Sequence, residues 1–356
     1  MNRRSFLRQA SASFAAAVST RCSSKAPALA DRRTRIDQLM TRLHKRNEFT
    51  GEILVAEKGD VIYAGAFGLA DRTTGQPYSA DTRSCLASLS KPITATAIMM
   101  LSEQSRLTYD ERLATFLPGF SDAIGSVKIR HLLTHTSGIP DYPDLSVDHP
   151  GVTNSEIFAA LQKVPQPAFP PGQKYQYCNA GYVLLGLIVE NISRQPLSGF
   201  LESHVFNPLR MTCSFVLTSL DQKTPDVARG YDRASGADDF VGMETGDSGV
   251  YSTVKDLLRF DQALYTDALV KQPTLSEAFT PFPVREGRTT YGFGWNIVTD
   301  SDGKRVWHQG NTAGFRAFIE RRLSERITVI MLTNGGDTNR MAINDSIQGI
   351  LKAAPS

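Results

Sequence analysis

The chain has 356 residues, of which 41% are hydrophobic and 21% charged, with only 4 Cys. That composition supplies one large core or two coupled ones, and it excludes a disordered chain, a collagen-like fibre and a disulfide-stapled miniprotein. Five of the 39 basic residues (Arg3, Arg4, Arg8, Arg21, Lys25) fall in the first 30 positions, which hold no acid; the net charge of +3 therefore becomes 34 bases against 36 acids, or −2, once that segment is set aside. A nearly neutral body implies no nucleic acid and no strongly charged partner.

Taken in chain order, the first feature is an address. Asn2-Arg3-Arg4-Ser5-Phe6-Leu7-Arg8 resembles a twin-arginine export signal. It is followed by a mildly apolar stretch, 10–18, and the small-residue pattern Ala28-Leu29-Ala30. We expect a signal peptide over 1–30, a mature chain starting near Asp31 in the periplasm or secreted, and no transmembrane segment after it. Residues 33–46 read as a helix, with Ile36, Leu39, Met40 and Leu43 on one face. Runs 52–56 and 61–66 around Lys58-Gly59 read as a β-hairpin. A helix is expected over 92–103, with Pro92 in its first turn. The middle, to about Asp239, is helix and loop, with an apolar helix at 180–192. Strands return at 305–309, 315–322 and 327–333, and a helix over 337–352 closes the chain.

Strands at both ends with helices between them predict an α/β (α+β) fold, in which one antiparallel sheet is built from the two chain ends and flanked by helices. We expect one domain over 31–356, with a sheet lobe of about 31–90 and 245–356. A mainly helical lobe, about 91–244, is inserted, and the ligand site lies in the cleft between them. Loops 140–151 and 279–290, with Tyr142, Tyr291 and Phe293, are the expected cleft walls.

Two serine motifs compete for chemistry. Gly246-Asp247-Ser248-Gly249 resembles the nucleophile loop of chymotrypsin-like proteases. Its surroundings lack that fold's pattern, so it reads as a turn leading into a helix. The pattern S-x-x-K occurs at Ser88-Leu89-Ser90-Lys91, Ser252-Thr253-Val254-Lys255 and Ser301-Asp302-Gly303-Lys304. The third contains Asp-Gly and reads as a hairpin turn; the second reads as a helix cap. Ser88 precedes an apolar run, so on a buried helix start Lys91 would share its face. Free N–H groups there can hold an oxyanion, and a walled-in amine can serve as the base an ordinary serine needs. His131 and His135 stand four apart with no third ligand, so no metal is expected. His44, His149 and His204 read as surface residues. Cys85, Cys178 and Cys213 allow at most one disulfide, and Cys85 and Cys178 read as packing thiols.

Ser88-Leu89-Ser90-Lys91 is followed by Arg130-His131-Leu132-Leu133-Thr134-His135-Thr136-Ser137-Gly138, then by Tyr177-Cys178-Asn179, and finally by His308-Gln309-Gly310-Asn311-Thr312-Ala313-Gly314. This ordered set resembles the serine β-lactamase and penicillin-binding superfamily, in the branch of class C β-lactamases, D-alanyl-D-alanine carboxypeptidases and family VIII esterases. The resemblance implies a β-lactamase/transpeptidase-like fold and no cofactor. It makes Ser88 the nucleophile of an acyl-enzyme and gives the proton work to Lys91 and Tyr177. Asn179, His308, Gly310 and Asn311 become substrate-binding, with an oxyanion hole from the N–H groups of Ser88 and Asn311. The expected activity is an exported serine hydrolase acting on a small ester or amide: a D-alanyl peptide, a short ester or a β-lactam. Gln309 stands where β-lactamases carry Thr or Ser, so efficient penicillin hydrolysis is less expected than carboxypeptidase or esterase action. The alternative is a non-catalytic peptidoglycan-binding or assembly module with the same fold.

Overall fold

The computed structural model describes residues 25–222, 224–232, 236–237, 241–282, 289–312 and 314–353. The twin-arginine motif and part of the expected wall loop, 283–288, lie outside the described residues. Helix α1 (Lys25–Lys45) leads into the hairpin of β1 (Gly51–Glu57) and β2 (Asp60–Phe67). After β3 (Ser84–Cys85), a 3-10 turn at Ala87–Ser90 runs straight into α2 (Lys91–Glu103). The middle contains α3 (Asn179–Ser193), and the chain returns through β4 (Phe215–Val216), β5 (Val250–Ser252) and α4 (Val254–Ala263). Strands β6 (Thr289–Tyr291), β7 (Asn296–Asp300), β8 (Gly303–Asn311), β9 (Arg316–Arg322) and β10 (Ile327–Thr333) then precede α5 (Arg340–Lys352).

The main sheet has seven strands in the order β6-β7-β8-β9-β10-β1-β2, every pair antiparallel. Both chain ends contribute, because β1 lies beside β10 in register Gly51 to Thr333. The first hairpin turns through Lys58 and Gly59, both at positive φ, the backbone that matches strand twist in a two-residue turn.

Period-two side chains explain the layering. Ile53 and Val55 of β1, Phe318 of β9, and Val329 and Met331 of β10 pack under α1 and α5 with Ile36, Met40, Ile343 and Ile347. The alternate residues Leu54, Ala56, Ala317, Ile319, Ile330 and Leu332 join the larger core with α2, α3 and α4. With both faces buried, these strands read as nearly continuous apolar runs. Helix α1 begins earlier than the sequence pattern suggested and runs through Ala28-Leu29-Ala30. Leu29 and Ala30 are exposed, and from Leu29 onward the first buried side chain is Ile36. Among the described residues no helix is long and apolar enough to cross a membrane, and no disulfide joins Cys85, Cys178 or Cys213.

One acid inside this fold has a thermodynamic consequence. Glu52 on β1 is buried, and burial pushes its carboxyl up to about 8. The unfolded chain ionises this group near its ordinary value while the folded chain still holds the proton. Glu52 therefore costs nothing below about pH 4.5 and erodes stability as pH rises from there to about 8. Glu52→Gln is expected to leave thermal stability nearly unchanged at pH 4.5 and to raise it by up to about 5 kcal/mol at pH 8.5. Parallel melting curves for the two proteins across that window would contradict this.

Candidate active site

Ser88 sits in the 3-10 turn and Lys91 is the first residue of α2. Side chains three apart eclipse in a 3-10 turn, which places Lys91 Nζ 3.0 Å from Ser88 Oγ. The turn enters through Ala87 at φ 46°, a left-handed conformation costing a side-chain-bearing residue about 1 kcal/mol. Lys91 is fully buried and donates to two further acceptors, Asn179 Oδ1 at 2.8 Å and the Asp247 carbonyl at 3.0 Å. Each N–H of its ammonium thus has an acceptor, as a buried charge requires.

The loop before β5 is laced to the same turn. Thr94 Oγ1 donates to the Gly246 carbonyl at 2.7 Å, and the Val250 N–H donates to Ser90 Oγ at 3.2 Å. Gly246 (φ +101°) passes so close to α3 that a Cβ would lie 2.4 Å from the Tyr182 carbonyl. This corrects the sequence expectation for Gly246-Asp247-Ser248-Gly249. The segment enters strand β5, and its Asp247 belongs to the Ser88 site. The other two S-x-x-K segments are a cap, where the Asp256 N–H donates to Thr253 Oγ1, and the β7–β8 turn, where Asp300 pairs with Gly303.

Asn179 opens α3, whose cap position holds Cys178, a residue with no capping oxygen. Asp141 supplies the cap from 39 positions upstream: Oδ1 accepts the Ala180 N–H at 2.8 Å and Oδ2 accepts Asn179 Nδ2 at 3.0 Å. That second bond fixes the amide so that its oxygen faces Lys91. Sequence reasoning missed Asp141, although a helix start lacking Ser, Thr, Asp or Asn at its cap signals a partner from elsewhere.

Strand β8 closes the other side. Pairing with β7 ends at Trp307, so His308–Asn311 has a strand partner, β9, on one side only among the described residues. Gly310 lies directly on the nucleophile turn; a Cβ there would sit 1.9 Å from the Leu86 carbonyl. Behind it, the buried Arg340 guanidinium donates to the carbonyls of Gly310 and Ala317 and to Asn311 Oδ1, each at 2.7 Å.

Ser88, Asn179 and Asn311 line one cavity of about 350 Å³ together with Cys85, Tyr142, Glu244, Asp247, Ser248, Thr312 and Phe315. Other expected residues stand elsewhere. His308 is 2% exposed: Nδ1 donates to the Gln309 carbonyl and Nε2 accepts the Tyr291 hydroxyl, both at 2.9 Å. Burial and the nearby Lys91 charge push its imidazole down to about 3, so it is neutral and presents no free nitrogen to the cavity. Tyr291 and Phe293, expected as walls, are both buried, Tyr291 with its hydroxyl on His308 and Phe293 with its ring against Tyr109. Tyr177 is 37% exposed. Its ring centre is 5.0 Å from Lys91 Nζ and 4.2 Å from the His135 ring.

His131 and His135 have structural partners: their Nδ1 atoms accept the N–H groups of Lys128 and Cys178. Among the described residues no three His, Cys, Asp or Glu are grouped to hold a metal. A larger cavity, about 810 Å³, lies near α1 and the start of α5, shares no lining residue with the Ser88 cavity, and contains no paired serine and lysine.

A family model described as Beta-lactamase matches residues 34–354. Penicillin-binding protein 4* of Bacillus subtilis (strain 168) is 33% identical over 348 residues, covering 91% of this chain and 75% of that protein. Esterase EstB of Burkholderia gladioli is 27% identical, covering 84% and 90%. The crystal structure of a penicillin-binding protein from Bacillus halodurans superimposes with a TM-score of 0.80 at 26% identity, covering 88% and 98%.

Proposed function

Since this chain belongs to the Beta-lactamase family and is a serine hydrolase with that family's mixed fold, we propose that Ser88 is its nucleophile and that it hydrolyses small esters or amides through an acyl-enzyme. The observation that carries this reading is the 3.0 Å approach of Ser88 Oγ and Lys91 Nζ at the edge of the cavity. Once Lys91 Nζ has given up one of its three protons it can take the hydroxyl proton while Oγ bonds to the acyl carbon, and the alcohol or amine leaves with a proton returned to it. Water then cleaves the Ser88 ester and releases the acid. Tyr177, its ring over the Lys91 ammonium, is assigned to proton transfer; Asn179 orients Lys91 and the substrate amide. The N–H groups of Ser88 and Asn311 are assigned to the oxyanion, since Gly310 lets β8 lie against the turn. His308 acts through Tyr291, as a neutral support behind the cavity. The paired arginines at the amino terminus support export, with the hydrolase working outside the cytoplasmic membrane.

A penicillin presents a carboxylate, and β8 offers it no cation, since His308 is neutral and turned inward, and carries Gln309 in place of a hydroxyl. Turnover of p-nitrophenyl butyrate is therefore expected to exceed that of nitrocefin by at least a hundredfold in kcat/KM, and Ser88→Ala to abolish both. Nitrocefin turnover equal to the ester's would overturn the preference, and ester turnover surviving Ser88→Ala would overturn the assignment.

A further inference from the structure

We propose that Asp141 is a positioning residue that aims the lone pair of Lys91 at Ser88, by locking the Asn179 amide with its oxygen towards the lysine. This rests on the assignment of Ser88 as nucleophile and Lys91 as base, and adds the group that orients the base. Lys91 Nζ has three partners: Ser88 Oγ at 3.0 Å, Asn179 Oδ1 at 2.8 Å and the Asp247 carbonyl at 3.0 Å. With one proton gone, the amine keeps two hydrogens and one lone pair. A carbonyl oxygen only accepts, whereas a hydroxyl both donates and accepts. The two hydrogens therefore stay on Asn179 and Asp247, and the lone pair is left for the Ser88 hydroxyl, which donates to it. Proton transfer breaks the Oγ–H bond and forms the third N–H bond. The resulting ammonium keeps the same three oxygens as acceptors.

Of the two acceptors, the Asp247 carbonyl is backbone and cannot turn over. The Asn179 amide can, and its other side carries N–H donors. Turned over, it would offer Nδ2 to the lysine lone pair and draw the base away from Ser88. Asp141 prevents this, because Oδ2 accepts Asn179 Nδ2 at 3.0 Å and a carboxylate has no hydrogen to offer an amide oxygen. The lock needs both oxygens of an acid. Oδ1 is held by two backbone donors, the N–H groups of Ala180 at 2.8 Å and Tyr142 at 3.1 Å. An asparagine at 141 has a single oxygen, and the two backbone donors claim it. Its NH2 would then meet Asn179 Nδ2, donor against donor, and turning the Asn179 amide over relieves the clash.

Positioning can be separated from helix capping, since the cap position of α3 is Cys178, which supplies no oxygen. Melting temperature and kcat/KM for p-nitrophenyl butyrate are measured for the wild type, Asp141→Asn, Cys178→Ser/Asp141→Asn and the exchange Asp141→Asn/Asn179→Asp. Asp141→Asn is expected to lower kcat/KM by at least about tenfold. Adding Cys178→Ser gives α3 a local cap, so it is expected to raise the melting temperature and to leave kcat/KM low. In the exchange the new amide donates to the new carboxylate, whose other oxygen accepts Lys91, so the lock is rebuilt with its two groups traded. There kcat/KM is expected to recover at least about fivefold over Asp141→Asn, the non-additivity of a coupled pair. A smaller loss in Asp141→Asn, turnover that returns with the local cap, or an exchange no better than Asp141→Asn would each overturn the proposal. If Asp141→Asn does not fold, the exchange is made in the Cys178→Ser chain and compared with Cys178→Ser/Asp141→Asn by the same criterion. Ester turnover that survives Ser88→Ala would instead mark failure of the Ser88 assignment beneath it.

Discussion

Ser88→Ala is expected to lower kcat/KM for p-nitrophenyl butyrate by about 10⁴-fold or more, Lys91→Met by about 10³-fold, and the double variant no further than Ser88→Ala alone. The two side chains act as one unit: a serine hydroxyl is a poor nucleophile until its proton has somewhere to go, and a base with no nucleophile beside it does nothing. Methionine keeps the length of the buried lysine stem but leaves Asn179 Oδ1 and the Asp247 carbonyl without their donor. It also removes a charge that is costly to bury, so the folded state is expected to survive. Steady-state kinetics on the three variants, beside their melting temperatures, check this. Additive losses would mean that the serine and lysine work independently, against the geometry.

The second large effect concerns a backbone. Gly310→Ala introduces a Cβ 1.9 Å from the Leu86 carbonyl and 3.2 Å from Ala87 Cβ, and the nearest obstacle is backbone that cannot rotate away. Strand β8 must therefore retreat from the nucleophile turn by about 1 Å, a displacement that costs about 10²-fold in kcat when the groups it carries must meet a reacting atom. Arg340 ties Gly310, Asn311 and Ala317 together, so the retreat carries Asn311 with it. Gly349→Ala in α5, where a Cβ meets nothing within 4 Å, is the matched control. It is expected to keep full activity and to gain up to about 1 kcal/mol of stability from helix propensity. Equal kcat values for the two variants would show that contact between β8 and the turn is not needed.

Much of this was legible in the chain. The β-rich runs of β1, β9 and β10 marked strands at both ends, and the terminal pairing of β1 with β10 followed from putting helices between them. The S-x-x-K segment at Ser88 was separable from its two copies because a turn chemistry and a cap chemistry explained the others. What escaped was long-range. Asp141 caps a helix 39 positions away, Asp247 meets Lys91 across 156 positions, and His308 is turned inward by a tyrosine on another strand. Periodicity and local turn rules report on neighbours in sequence, whereas these contacts depend on how separate elements come together in space. The GDSG segment was read as a plain turn for the same reason: its Gly246 serves a close approach to α3, which nothing nearby in the chain announces.

The most direct test is acid-quenched mass spectrometry of the protein during turnover of p-nitrophenyl butyrate. The account predicts a butyryl adduct on the peptide containing Ser88, accumulating within the first turnover and missing from Ser88→Ala. A butyryl group mapped to another residue, Ser248 above all, or rapid turnover with no adduct on Ser88 under any quench, would contradict it.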